Sequence, residues 1–322
     1  MVGMSGLILA AGLAVALTLH FRVSPVDPVP PTAAPPKAPR TAQPDVNPSP
    51  ERRLDRRLTF LRTNEQGYRE YQASDSSVLI HIPAGEFVGS VRPADKTVPG
   101  LVPSQQKLKL GGYLIGRHEV TVGQFKRFVA ETGFRPKLRD WADLAEKSGD
   151  SYPVVYISWD AAMSYGRWAG HRLPSLAEWE RAARGTHGQA YPWGAKWEAN
   201  RCNTWELSRK EYTDRMAPFS RQRGPVPVGL IREGASPCGA MDMAGNVMEW
   251  CGDDDGEGDA ATDPHGIGFW HWRLLLGGSW DDFQDRCCLS PPRFVRSPDY
   301  TGGTYAWGFR VVRDDVPEER DR

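Results

Sequence analysis

The stretch GGSWDDFQDRCCLSPPR, residues 277–293, gathers the groups with the most chemical potential: the Ser279 hydroxyl, the Asp282 carboxylate and the thiols of Cys287 and Cys288. A thiolate is both a nucleophile and a soft-metal ligand, and a cation such as Arg286 beside Cys287 would favour that ionised form. Neighbouring side chains of an extended segment point to opposite faces, so Cys287 and Cys288 are poorly placed to grip one ion together. The pair reads equally well as two small buried hydrophobes. The stretch is therefore either a reactive cysteine centre or what is left of one.

Other metal chemistry is weakly signalled. The five cysteines (Cys202, Cys238, Cys251, Cys287 and Cys288) form no CxxC ladder, and their odd number leaves at least one outside any intramolecular disulfide. His81, His118, His171, His187, His265 and His271 show no HxxxH spacing. The segment DMAGNVMEW, 242–250, is better suited to a hard cation. Asp242, Glu249 and the carbonyls of Gly245 and Val247 supply the mixture of carboxylate and backbone oxygens that calcium takes, and the alternation Gly245, Val247, Glu249 would aim three donors to one side of an extended segment. The acidic run DDDGEGDAATD, 253–263, reads as a solvated loop.

Several elements must hold these groups. VLIHIPAGEFVGS, 78–90, begins as a β-branched strand that stops at Pro83 and a glycine turn. Thr121 is placed to cap a helix in which Phe125 and Phe128 share a face. A helix is expected over 159–169, and another after Pro174, with Ser175 as N-cap, Glu178 completing a capping box and Gly185 as the stop. Leu54, Leu58 and Leu61 lie at helical spacing among charges, which predicts a short amphipathic helix in 51–77.

The chain of 322 residues balances 40 basic against 40 acidic side chains, so no global field draws it to nucleic acid, and nucleic acid is excluded as a partner class. High glycine and proline content (33 and 27) with 12 Trp predicts a loop-rich core held by aromatic burial. The apolar run 5–21 is close to the roughly 20 residues that span a bilayer, and reads as a membrane anchor or a signal peptide. It leads into a Pro-rich segment, 22–50, that behaves as an extended spacer. The organisation expected is thus 1–21 signal or anchor, 22–50 linker, 51–77 helical lead-in, 78–315 globular domain and 316–322 charged tail.

HEVTVGQF, RLPSLAEWERAARG, YPWG, PVG, MDMAGNVMEW, GGSW and WGFRVV occur in an order that resembles the formylglycine-generating enzyme, or sulfatase-modifying factor, family over about residues 78–313. That family also contains ergothioneine-type sulfoxide synthases, pyoverdine-maturation proteins and binding domains. The resemblance implies a single compact α+β domain with little regular secondary structure, related to C-type lectins. It implies chemistry far less firmly, because sites are grafted on folds.

In the family's oxidases a copper(I) ion lies between two cysteines five residues apart, the first of them two positions after the aromatic residue of GGS(W/Y). That register places Asp282 first and Cys287 second. A carboxylate is a hard ligand and Cu(I) a soft one, so copper is not expected here. Ser279 is retained, whereas the other site-lining positions fall on Met248, Phe283 and Arg286. The resemblance implies calcium at Asp242, Gly245, Val247 and Glu249, and a second calcium site at Asn200, the carbonyl of Arg201, Asp214 and the carbonyl of Met216.

The leading expectation is a membrane-tethered, extracytoplasmic, calcium-stabilised domain of this family. It would bind a protein or carbohydrate ligand, or support a neighbouring enzyme, without the two-cysteine copper site. One rival is an oxygen-dependent oxidase with a centre remodelled around Ser279, Asp282, Cys287 and Cys288. The other is a lectin-like structural protein of the cell envelope.

Overall fold

In the computed structural model of the chain, strand β3 (Val78–Ile82) is the centre of a five-stranded sheet. The structure describes residues 54, 56–91, 104–138, 141–207, 224–254, 271–287, 293–297 and 304–314. On one side of β3 lie β2 (Arg69–Ala73) and then β1 (Leu58–Thr63). On the other lie β6 (Tyr113–Gly116) and β11 (Val312–Arg313). All of these neighbours pair antiparallel. A two-stranded ribbon joins β4 (Gly85–Val91) to β5 (Ser104–Leu110).

The helical lead-in expected in 51–77 is corrected: Leu58 and Leu61 lie on β1, so the domain begins well before Val78. The spacing of the leucines misled because tertiary pairing decides the outcome. Phe60 lies opposite Tyr71 across the β1–β2 ladder, and their rings meet edge to face at 5.7 Å.

Among the described residues four α-helices lie between β6 and β7 (Met248–Asp254): α1 (Val122–Thr132), α2 (Trp141–Ser148), α3 (Trp159–Ala169) and α4 (Leu176–Arg184). Their ends obey local chemistry. Thr121 and Gln124 cap α1 reciprocally, as Ser175 and Glu178 cap α4, and Gly185 ends α4. Phe125 and Phe128 of α1 face Tyr165 and Trp168 of α3, forming the first apolar core with Trp250 and Phe309. A second core surrounds Trp179 of α4 and takes in Ile80, Tyr113, Cys238, Cys251, Leu274 and Cys287. Fully burying one such large side chain contributes about 1.5–3 kcal/mol, so these rings dominate the packing.

The second sheet is ordered β10 (Trp307–Gly308), β7 (Met248–Asp254), β8 (His271–Leu276), β9 (Arg293–Ser297). Between β8 and β9 the chain makes a turn over Ser279–Asp282 and one short helix, α5 (Gln284–Cys287). The sheet thereby brings the segments around Glu249, Ser279 and Tyr305 together. Among the described residues no helix is long and apolar enough to cross a membrane. The apolar run 5–21, the Pro-rich linker and the charged tail lie outside the described residues.

Candidate functional site

The Ser279–Asp282 turn closes on itself. Oδ2 of Asp282 accepts from the Ser279 hydroxyl at 2.7 Å and from the Ser279 amide at 3.0 Å. The Asp282 amide returns a bond to the Ser279 carbonyl at 3.1 Å. Both residues are buried, so the carboxylate in the first cysteine register serves the backbone of its own turn. Cys287 ends α5 with no exposed surface and packs in the second core beside Trp179 and Cys251. This segment is helical, which corrects the extended geometry expected of it. Burial denies the Cys287 thiol the solvent exposure a reactive cysteine needs. Met248 is buried and Phe283 exposed, while Cys288 and the side chain of Arg286 lie outside the described residues.

Asp242–Glu249 forms the wall behind this turn. The expected extended alternation is not what folds: Asp242, Gly245 and Asn246 are all left-handed, with φ of 58°, 78° and 60°, and β7 starts only at Met248. Gly245 is required, since a Cβ there would lie 2.4 Å from the Asn203 carbonyl oxygen. The Asn246 amide group ties the segment together, donating to Glu119 Oε2 at 2.9 Å and accepting from the Val226 amide at 2.9 Å.

Glu249 is fully committed. Arg310 donates Nε and Nη2 to its two oxygens, each at 2.6 Å, and the Trp179 indole donates to Oε2 at 2.7 Å. Asp242 accepts from the Gly229 amide at 2.6 Å. Burial, with the nearby Glu249 charge, pushes its carboxyl up to about 6 against the pull of Gly229 and Arg310. Burial raises Glu119 as well, reinforced by Asp242 and Glu249. The cation acting on both of these acids is Arg310, already held by Glu249. No group of three or more His, Cys, Asp or Glu among the described residues is arranged to hold a metal. A cation here would therefore rest on Asp242 with the backbone oxygens of Gly245 and Val247, and Glu249 would contribute charge from within its ion pair.

The second expected calcium site is only half visible. Asn200 is exposed on a 3-10 turn (Ala199–Arg201), and the Arg201 carbonyl faces the backbone of Gly234, where a Cβ would come within 2.0 Å of it. Asp214 and Met216 lie outside the described residues.

Two polar features escaped the sequence. Asp75 is buried between β2 and β3 and accepts from the Ser77 amide and hydroxyl at 3.0 and 2.7 Å and from the Tyr165 hydroxyl at 2.7 Å, with His171 Nε2 at 3.4 Å. Burial alone would raise its carboxyl, but His171, Tyr165 and Ser77 together bring it down to about 2. Beside it opens a cleft of about 180 Å³ lined by Ser76, Ser77, Val78, His118, Glu119, Thr121 and Gln124. His118 packs over Gly229, and burial, with Arg117 and Arg310 nearby, lowers it to about 3, so its imidazole is neutral at physiological pH. Glu119 and Arg310 stood inside the motifs HEVTVGQF and WGFRVV, but nothing in their spacing announced that they converge.

The sheets, the short helices and the loop-borne turn define a compact α+β domain of the formylglycine-generating-enzyme type, with a C-type-lectin-like fold. The sulfatase-modifying factor enzyme 1-like domain family matches residues 66–315, and the chain belongs to that family. The chain is 36% identical over 178 residues to the formylglycine-generating enzyme of Streptomyces coelicolor, covering 51% of this chain and 53% of that protein. It is 30% identical over 292 residues to the formylglycine-generating enzyme of Thermomonospora curvata, covering 74% of this chain and 94% of the relative. The match thus spans about half of the first relative and nearly all of the second. Among solved structures, PvdO from Pseudomonas aeruginosa superposes with a TM-score of 0.54 at 20% identity, over 76% of this chain and 97% of that one, which speaks for the fold alone.

Proposed function

We propose that this chain is a membrane-tethered, extracytoplasmic member of the family that binds a partner or supports a neighbouring enzyme, without copper-dependent oxidation of cysteine. One observation carries the reading: Asp282, which the register of GGSW aligns with the first cysteine of the family's oxidases, gives its carboxylate to the Ser279 amide and hydroxyl, while Cys287 packs in the apolar core. A Cu(I) ion favours paired soft ligands, and one buried thiol with one engaged carboxylate does not supply them. The half-buried Trp280 and Asp281 of the Ser279–Asp282 turn are then left as the surface for recognition.

The test is Cu(I) titration together with mass spectrometry of a cysteine-containing sulfatase peptide. No tight copper binding and no thiol-to-aldehyde conversion are expected. Conversion abolished by Cys287→Ser would establish the rival oxidase with a remodelled centre.

Calcium belongs to the same proposal as a stabiliser, held at Asp242 with the Gly245 and Val247 carbonyls and, at a second place, by Asn200, Arg201, Asp214 and Met216. A cation that binds only the folded state raises stability by mass action. Chelation should lower the melting temperature, and Asp242→Ala should abolish most of that response. Tethering rests on the apolar run 5–21 leading into a Pro-rich spacer. Recovery of the uncleaved full chain in the soluble cytosolic fraction would refute it.

A further inference from the structure

Beside the Ser279–Asp282 turn, the rings of Tyr156, Trp280 and Tyr305 stand together with the Asp281 carboxylate. Tyr305 is 46% exposed, and its ring centroid lies 5.4 Å from Trp280 and 6.5 Å from Tyr156. The ring planes are inclined by 48° and 66°, so these aromatic faces meet at angles and do not form a flat platform.

Each member is held from outside the ring set. The Tyr305 hydroxyl donates to Asp281 Oδ2 at 2.9 Å, and the Trp280 amide donates to the Asn246 carbonyl at 3.0 Å. The Tyr156 amide donates to the Thr304 carbonyl at 2.9 Å while Tyr156 itself is left-handed, with φ of 59°. A bulky aromatic residue takes that conformation only when its surroundings enforce it. Asp281 Oδ1 has no hydrogen-bond partner among the described residues and is left as an open acceptor.

We infer that Tyr156, Trp280, Tyr305 and Asp281 form a receptor for a cationic side chain, and that the partner is a protein segment presenting lysine or arginine to it. Charge complementarity selects this occupant. Aromatic faces carry negative potential and attract an ammonium or guanidinium group, and the adjoining carboxylate adds a full opposite charge. A sugar ring, by contrast, stacks on one flat face, which these inclined rings do not offer, and although its hydroxyls can donate to a carboxylate it carries no charge to be attracted. The Asp281 carboxylate, through its hydrogen bond and its charge, holds the Tyr305 proton more tightly than usual, in keeping with the same geometry. The inference rests on the recognition role proposed for the turn, and gives that role a partner chemistry.

The experiment uses the full chain in calorimetric titrations with acetylated Gly-Arg-Gly and Gly-Lys-Gly amides, the citrulline and norleucine isosteres of each, and methyl glucoside. The charged peptides should bind and weaken as salt is raised. Tyr305→Ala or Trp280→Ala should weaken binding by about two- to fivefold for each face lost, and Asp281→Asn by a similar factor. Circular dichroism of each variant separates loss of the receptor from loss of the fold, and Asp281→Asn keeps the shape of the side chain if the aromatic variants fail to fold. No binding at millimolar peptide, equal binding of the citrulline isostere, preference for methyl glucoside, or binding insensitive to all three substitutions would overturn the inference. The copper and aldehyde measurements report separately on the absence of oxidase chemistry, so either idea can fail while the other stands.

Discussion

Arg310 and Glu249 face each other inside the protein as a two-pronged ion pair, both side chains without exposed surface and both contacts at 2.6 Å. Arg310 also donates to the carbonyls of Gly116 and Met241, each at 2.9 Å, so the pair joins β6, the Asp242 segment and β7. Removing one partner strands the other charge away from water. Glu249→Gln should therefore cost about 3–5 kcal/mol, a large share of a domain's usual stability. Urea unfolding checks it, and the double variant Glu249→Gln with Arg310→Met should lose less than the two single losses combined.

Asp242 predicts a pH dependence of the calcium-free protein. Its folded value of about 6 lies above the ordinary 3.8, so the folded state holds the proton more tightly than the unfolded state. The associated stability is fully present below pH 3.8 and is lost as pH rises through 6, on the order of 3 kcal/mol for roughly two units. Asp242→Asn should flatten this slope between pH 4 and 6 and raise the melting temperature of the chelated protein at pH 7. An unchanged slope would show that another acid, Glu119 foremost, carries the effect.

Much of this was legible in the sequence where the cause is local. The capping residues Thr121, Ser175 and Glu178 and the stop at Gly185 need only their neighbours, and each helix end lies where they place it. β1 was not legible, because its strand state depends on Tyr71 and the rest of β2 across the ladder. The site divides in the same way. Asp282, two positions after Trp280, is visible in the sequence, whereas the bond from Ser279 that occupies its carboxylate is a property of the folded turn. Glu249 looked like a free ligand because Arg310, sixty-one residues away, gives no sign in sequence that it will close on it.

The Asp75 cluster predicts acid resistance of one contact. Its folded value near 2 lies below 3.8, so the stability it contributes is present above pH 3.8 and is lost as pH falls through 2. Tyr165→Phe removes one donor from a buried carboxylate and should cost about 1–3 kcal/mol at pH 7. The same change should move acid unfolding to a higher pH. Circular dichroism across an acid titration of both proteins is the measurement, and coincident midpoints would show that the hydroxyl does not stabilise the charged form.

The last expectation concerns the thiol that first suggested chemistry. Cys287 has no exposed surface, so Ellman's reagent should reach it in the native protein only through opening of α5 and the preceding turn. Asp282→Ala deprives the Ser279 amide and hydroxyl of their acceptor and should cost about 1–3 kcal/mol, whereas Asp282→Asn keeps an acceptor oxygen and should cost less. For a domain of this size each kcal/mol is worth about 2–4 °C in melting temperature, so the two variants should separate in a thermal scan. Labelling of Cys287, followed by peptide mass mapping, should accelerate in the order native, Asp282→Asn, Asp282→Ala. If the thiol instead reacts in the native protein as fast as it does in urea, the apolar burial is wrong. A reactive cysteine beside Ser279 and Asp282 would then become the better account of this turn.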